Sequence, residues 1–393
     1  MTQPNDFAWL DRASRCVAHG HDPALGLVQP IYTSTSYHYL DEAAQPYPRY
    51  FSTPNQESVA RKIASIENAE AAVLFNSGMA AISTCVLSLV KPGDHILLLR
   101  GLYGGTHSFL VSELTKWGID FDFAADVDEF SVKCRPNTVL AYIESPTNPC
   151  LDILDLRAMA QFARGAGILT IIDNTFASPI NQNPIDFGID LVVHSGTKYL
   201  GGHSDLTCGA VVGSERLIER VVSQARKYGG ALNPQDCHLL ERSIKTLDVR
   251  VTRQNDNAMA VAAFLQSHLA VKRISYPGLN SHPGHLLAKA QMRGCGGMLA
   301  FELSSESPVR DFLTKLKLIT PAMSLGGVES IITIPALTSH KHVCEEDRLH
   351  SGVTPNLMRL SIGIESPRDL IADLTQAIES CAQGSKSRAQ HES

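Results

Sequence analysis

The 393 residues carry a formal net charge of −6, with acidic and basic side chains interspersed rather than blocked. That balance leaves no electrostatic footprint for nucleic acid or anionic lipid, and no window approaches the roughly 20 apolar residues of a membrane-spanning helix. The length exceeds a single core of about 100–200 residues, so two domains are expected.

The opening stretch, MTQPNDFAWLDR, lacks a basic region followed by an apolar run, which makes the cytoplasm the expected compartment. Residues 1–50 hold several tyrosines and prolines with little periodicity and read as an extended arm. Residues 51–248 alternate short β-branched or Leu-rich runs with longer helical segments, the pattern of a mainly parallel α/β sheet. Its strands are expected at AAVLF before Asn76, at HILLL (95–99), TVLAYIE (138–144), ILTIID (168–173) and DLVVH (190–194). Between the last pairs, residues 156–167 place Leu156, Met159, Ala160 and Ala163 on one helical face and end in glycines that suit a C-terminal cap. Residues 249–383 change character, with a helical stretch, Gly/Pro-rich turns, the apolar strand GMLAFEL and a last helix opening at Ser366-Pro367, where Leu370, Leu374 and Ile378 repeat at helical spacing. They read as a smaller α+β domain, and residues 384–393 as a disordered tail. The nine cysteines include no CxxC pair, so neither a disulfide framework nor a zinc site is indicated.

Ligands of such sheets bind beyond the carboxyl ends of the strands. There the chain places Lys198, inside VVHSGTKYLGGHSD, among small and hydroxyl residues. A lysine so placed suits a Schiff base with an aldehyde cofactor, for which pyridoxal 5′-phosphate (PLP) is the candidate. That chemistry also needs an anion at the pyridinium nitrogen, a phosphate cup, a stacking aromatic and a cation for a substrate carboxylate. Asp173 closes the most hydrophobic strand and could supply the anion, the plainer alternative being a helix N-cap. Ser77, Gly78 and Met79 open a helix whose first N–H groups could take phosphate, and Ser195 and Thr197 flank the lysine with hydroxyls. Tyr103, in LYGGTH, could stack on a ring.

HSGTKYLGGHSD resembles the lysine motif of the Cys/Met metabolism PLP enzymes, the family of cystathionine γ-synthase and γ-lyase. YPRY, NSGMAAI, LYGGT, ESPTNP, IIDNTFASP, SHPGH with GGMLAFEL, SLGGVESI and MRLSIGIE also resemble that family's motifs, in its order and over nearly the whole chain. The resemblance implies fold-type I, with a large cofactor domain, a smaller C-terminal domain and an arm that reaches a neighbouring subunit, assembled as a homotetramer of active-site-sharing dimers. It implies that Lys198 is the Schiff-base lysine and proton shuttle, that Asp173 partners the pyridinium, and that Tyr103 stacks and acts as acid and base. Ser77, Gly78, Met79, Ser195 and Thr197 would hold the phosphate, with Tyr47 and Arg49 of the adjacent subunit. Arg359, helped by Ser324 and Asn148, would clamp the α-carboxylate of an amino-acid substrate.

The implied activity is elimination or replacement at Cγ or Cβ of a sulfur amino acid, with a cystathionine γ-lyase-like or γ-synthase-like enzyme as the first expectation. Methionine γ-lyase and cystathionine β-lyase are the alternatives, and an aminotransferase is more distant. Gly105 stands where typical methionine γ-lyases carry cysteine, and Thr333 where many cystathionine enzymes carry glutamate. The arm motif at 47–55 is one residue longer than usual. His282 and His285 are expected to be structural, and His340 and His342 to sit in a solvated loop; no metal site is expected.

Overall fold

The computed structural model describes residues 9–18, 26–40, 46–304, 309–341 and 343–391. Seven strands form the large sheet: β1 (Ala71–Phe75), β2 (His95–Leu99), β3 (Asp120–Ala124), β4 (Thr138–Glu144), β5 (Leu169–Asp173), β6 (Leu191–Ser195) and β7 (Gly209–Gly213), in the order β1-β7-β6-β5-β4-β2-β3. From β3 to β6 every pair is parallel, and β7 runs antiparallel to both β6 and β1. The five expected strands are present within a residue of their expected bounds. β3 and β7 were not foreseen: DFDFA is a half-exposed edge strand interrupted by two aspartates, and GAVVG is short and bracketed by glycines.

The central strands are buried on both faces because helices cover them, which is why they read as continuous apolar runs. Helix Leu156–Ala166 buries Leu156, Met159, Ala160 and Ala163, as its spacing predicts, and ends at Gly167 with φ 70°. A second core, around Phe301, Phe312 and Leu374, lies beneath a five-stranded sheet. Its strands are β8 (Val271–Ser275), β9 (Met298–Leu303), β10 (Thr320–Pro321), β11 (Ile331–Thr333) and β12 (Met358–Ser361), ordered β10-β11-β12-β9-β8.

Two expectations need amending. The N-terminal stretch is not extended throughout, because helix Arg12–Val17 packs on helices Pro54–Ile66 and Leu247–Ser267, and Arg12 donates to Asn183 at 2.6 Å. The last helix, Pro367–His391, runs on into the expected tail as far as His391, where Ala, Gln, Lys and Arg are good helix formers with no proline to stop them. Among the described residues no helix is long and apolar enough to cross a membrane.

Candidate active site

Strand register builds the site. Glu144 and Asp173 are Cα partners at the carboxyl ends of β4 and β5, and Asp173 in turn pairs with Val193 of β6. Past β6 the chain turns tightly, with the Lys198 amide donating to Ser195 O at 3.1 Å. Thr197 Oγ1 accepts from the Cys208 amide at 3.0 Å and donates to Cys208 O at 3.2 Å, which closes the neck of the β6–β7 connection. Lys198 is thereby aimed into a cavity of about 510 Å³ bounded by both sheets.

Lys198 Nζ donates to Ser324 Oγ at 2.7 Å. Burial, reinforced by the Arg359 charge, pushes its pKa down to about 8, so the amine is neutralised far more readily than an exposed lysine. Asp173 lines the same cavity. Burial raises its pKa, against the Thr175 hydroxyl and the Thr175 amide, which donates to Oδ1 at 3.0 Å. The N-cap alternative for Asp173 is set aside, since the helix that follows, Ser178–Asn181, begins after Ala177.

Ser77 is the N-cap of helix Gly78–Leu89 and accepts from the Ala80 amide at 3.1 Å. The preceding amides, of Gly78 and Met79, have no intrahelical acceptor by construction and open the helix at the cavity wall. Gly78 is required there: a Cβ would lie 2.7 Å from Ser195 Cβ and 3.0 Å from its Cα. Tyr103 precedes the helix Gly104–Leu114, and Gly105 leaves room for its ring, because a Cβ at 105 would come within 2.6 Å of Tyr103 Cε1.

Arg359, on β12, enters from the small sheet and is 4% exposed. Nη1 donates to Asn148 Oδ1 at 2.9 Å and Nη2 to Ser324 O at 2.9 Å, while Nε is buried without a protein partner. Its guanidinium lies 6.0 Å from the Phe176 ring centre, and burial lowers its pKa to about 10. Ser324 holds φ at +86°, a left-handed conformation that costs a non-glycine residue energy and is typical of functional positions.

Eleven of the thirteen expected site residues therefore meet around one cavity. Tyr47 and Arg49 do not: Arg49 donates to Arg226 O at 2.6 Å and stacks over Tyr50 at 5.0 Å, away from this cavity. Glu144 was not singled out from the sequence, although its place at a polar strand end was the available signal. It accepts from the amides of Tyr103 at 2.9 Å and Asn148 at 2.8 Å, and burial and neighbouring Asp173 push its pKa well up. Phe176, Met323, Thr338 and Ser339 line the cavity and carried no sequence signal. Thr333 stands behind the wall, its hydroxyl 2.9 Å from that of Thr338, which itself donates to Ile334 O.

One histidine expectation is corrected. His340 is 2% exposed rather than solvated, with Nδ1 2.9 Å from Ser339 Oγ, and burial together with the Arg359 charge lowers its pKa to about 4. His342 lies outside the described residues. In the SHPGH turn, His282 Nδ1 accepts from the Gly284 amide and His285 Nδ1 faces Pro277 O.

Comparisons with known proteins identify the family. The family model for Cys/Met metabolism PLP-dependent enzymes matches residues 16–379. Cystathionine gamma-lyase of Bacillus subtilis (strain 168) is 44% identical over 89% of this chain and 93% of its own length. A cystathionine beta-lyase of Lactococcus lactis subsp. cremoris (strain MG1363) is 41% identical over 92% of this chain and 98% of its own. The crystal structure of cystathionine gamma-lyase from Lactobacillus plantarum complexed with L-serine superposes with a TM-score of 0.92 at 37% identity, covering 95% of this chain and all of that one. With the family model spanning nearly the whole sequence, the chain belongs to the Cys/Met metabolism PLP-dependent enzymes.

Proposed function

We propose that the chain is a carbon–sulfur lyase that binds PLP through Lys198 and eliminates the Cγ substituent of a sulfur amino acid. The observation that carries this reading is a single cavity lined by the half-buried, readily neutralised amine of Lys198, the buried carboxyl of Asp173 and the enclosed guanidinium of Arg359. The residues fit the cofactor. A Cβ at Gly78 would fill the helix-opening cradle beside Ser195, where the amides of Gly78 and Met79 and the hydroxyls of Ser195 and Thr197 would hold a phosphate. Asp173 would face the ring nitrogen and Tyr103 the ring face. Bound there, the cofactor supplies an electron sink conjugated to the substrate Cα.

The chain's own groups do the rest. Arg359 orients the α-carboxylate through its unpartnered Nε and a neighbouring Nη, with Asn148 and the Ser324 carbonyl fixing the fork. Lys198 Nζ, once the substrate's amino group has taken its place, would remove the Cα proton, give that proton up again and so be free to remove one from Cβ, steered by Ser324 Oγ. Tyr103 gives a proton to the departing sulfur. Removal of only the Cα proton leads instead to β-elimination.

One observation favours an uncharged thioether over cystathionine as the preferred substrate. Thr338 donates its proton to Ile334 O and is paired with Thr333, so among the described residues this part of the wall presents neutral hydroxyls rather than a carboxylate to a distal ammonium.

The arm reading extends to assembly. Leu27, Val28, Tyr39 and Leu40 are more than half exposed in the single chain, which supports a dimer in which Tyr47 and Arg49 of the partner subunit complete the phosphate site. The test is to supply cystathionine, methionine, homocysteine, cysteine and O-activated homoserines and to identify the ketoacid. We expect 2-oxobutanoate, with methionine or homocysteine turned over at least as well as cystathionine. Pyruvate from cystathionine would replace this reading with β-elimination.

A further inference from the structure

We propose that the buried Glu67–His194 pair is a positioning element that holds an imidazolium behind Asp173 and so keeps that carboxyl ionised toward the cofactor; the inference rests on the function proposed above. Glu67 follows helix Pro54–Ile66 and is fully buried. Its Oε1 meets His194 Nε2 at 2.6 Å and accepts from Asn174 Nδ2 at 2.9 Å, and its Oε2 accepts from Asn183 Nδ2 at 3.0 Å. His194 directly precedes Ser195, Asn174 directly follows Asp173, and the Asn174 amide donates to Val193 O at 3.0 Å. One carboxylate thus gathers the ends of β5 and β6. Because side chains alternate along a strand, His194 and Asn174 lie on the face of the sheet opposite to Asp173.

Two observations carry the proposal that the ring bears a charge. A carboxylate with no access to water is costly unless paired, and 2.6 Å is at the short end for a charge-assisted N–H···O bond. The need for a cation is as plain. Asp173 stands in register beside the buried Glu144, and neighbouring carboxyls oppose each other's ionisation. In the cavity, Arg359 is turned toward Asn148 and Ser324. A charge on His194 would act on Asp173 from the opposite face of the sheet, in the direction that favours the carboxylate.

The other charged groups near His194 are accounted for. Arg12 and Arg293 each donate to Asn183 Oδ1 at 2.6 Å, one side chain removed from Glu67, and Asp186 lies beside both. Lys62, on helix Pro54–Ile66, faces Glu241 at 3.5 Å. Helix Gly78–Leu89 and β7, which also pack on β6, carry no charged side chain.

His194→Gln keeps a donor for Glu67 and removes the charge, and Glu67→Gln removes the counter-charge. Each variant, loaded with PLP, is titrated across pH while the cofactor's visible band is followed. Loss of a nearby positive charge raises the proton affinity of the nitrogen joining the cofactor to Lys198, so the midpoint should rise by about one pH unit in each single variant, and no further in the double variant. An unchanged midpoint in His194→Gln with the band intact overturns the proposal, as does a double variant that shifts by the sum of the two. If His194→Gln does not fold, Glu67→Gln carries the same expectation, and a neutral His194 ring in the parent by ¹⁵N NMR at pH 7 overturns it. Absence of any PLP band in the parent would instead overturn the function proposed above.

Discussion

Removing the Arg359 guanidinium tests the clamp on which substrate binding depends. The group has five N–H bonds; Asn148 Oδ1 and Ser324 O take one each, and Nε has no protein partner. Three N–H bonds, that of Nε among them, are therefore left for a carboxylate. Truncating one member of a buried, hydrogen-bonded charge pair costs about 2–5 kcal/mol, which at tenfold per 1.4 kcal/mol is about 30-fold to a few thousand-fold in affinity. In Arg359→Ala we expect KM for the amino acid to rise by that factor, measured as ketoacid formation against substrate concentration. The clamp holds substrate and transition state alike, so kcat should fall by no more than about tenfold, and the visible cofactor band should persist. Arg359→Lys should recover only part of the loss, since a point charge replaces a planar fork. A KM within about threefold of the parent would refute the clamp, and loss of the band would show that Arg359 serves the cofactor instead.

The other predictions concern Lys198 and its partner. Lys198→Ala should lose the cofactor's visible band and nearly all turnover; retention of both would remove Lys198 from the chemistry. In the unloaded protein the lysine pKa lies at about 8 rather than at the ordinary 10.5, so its neutral fraction grows as pH rises through 8. The rate of PLP capture should therefore climb with a midpoint near pH 8, and Arg359→Leu should move that midpoint upward by removing a neighbouring positive charge. Ser324→Gly should relieve the φ of +86° and stabilise the fold by about 1 kcal/mol in chemical denaturation. The same change should slow turnover, because Lys198 loses its 2.7 Å hydroxyl partner.

What could be read from the sequence depended on how locally each feature is determined. Lys198, Asp173 and Asn148 stand just beyond apolar runs or at their last residue, and the rule that ligands gather at strand carboxyl ends brings them together without coordinates. The buried face of helix Leu156–Ala166 was equally legible, since 3.6-residue periodicity is a local property. β3 and β7 were missed because an edge strand carrying aspartates and a glycine-bracketed strand both lack the long apolar run that marked the others. The environment of His340 was misjudged because its neighbours in sequence are Ser, Lys and His, whereas its burial is set by packing near Arg359. Glu67 and His194 are 127 positions apart, and only the fold makes them a pair.

Two short contacts tie the sheets together across the cavity: Lys198 to Ser324, and Arg359 to Asn148. In each, one partner belongs to the large unit and the other to the small, so neither can be kept if the units separate. A substrate carboxylate recruited by Arg359 and an amino group that displaces Lys198 press on the same two joints. The site can therefore work as a latch that registers both ends of the amino acid at once, and a molecule offering only an acid or only an amine would engage one joint and leave the other as it was.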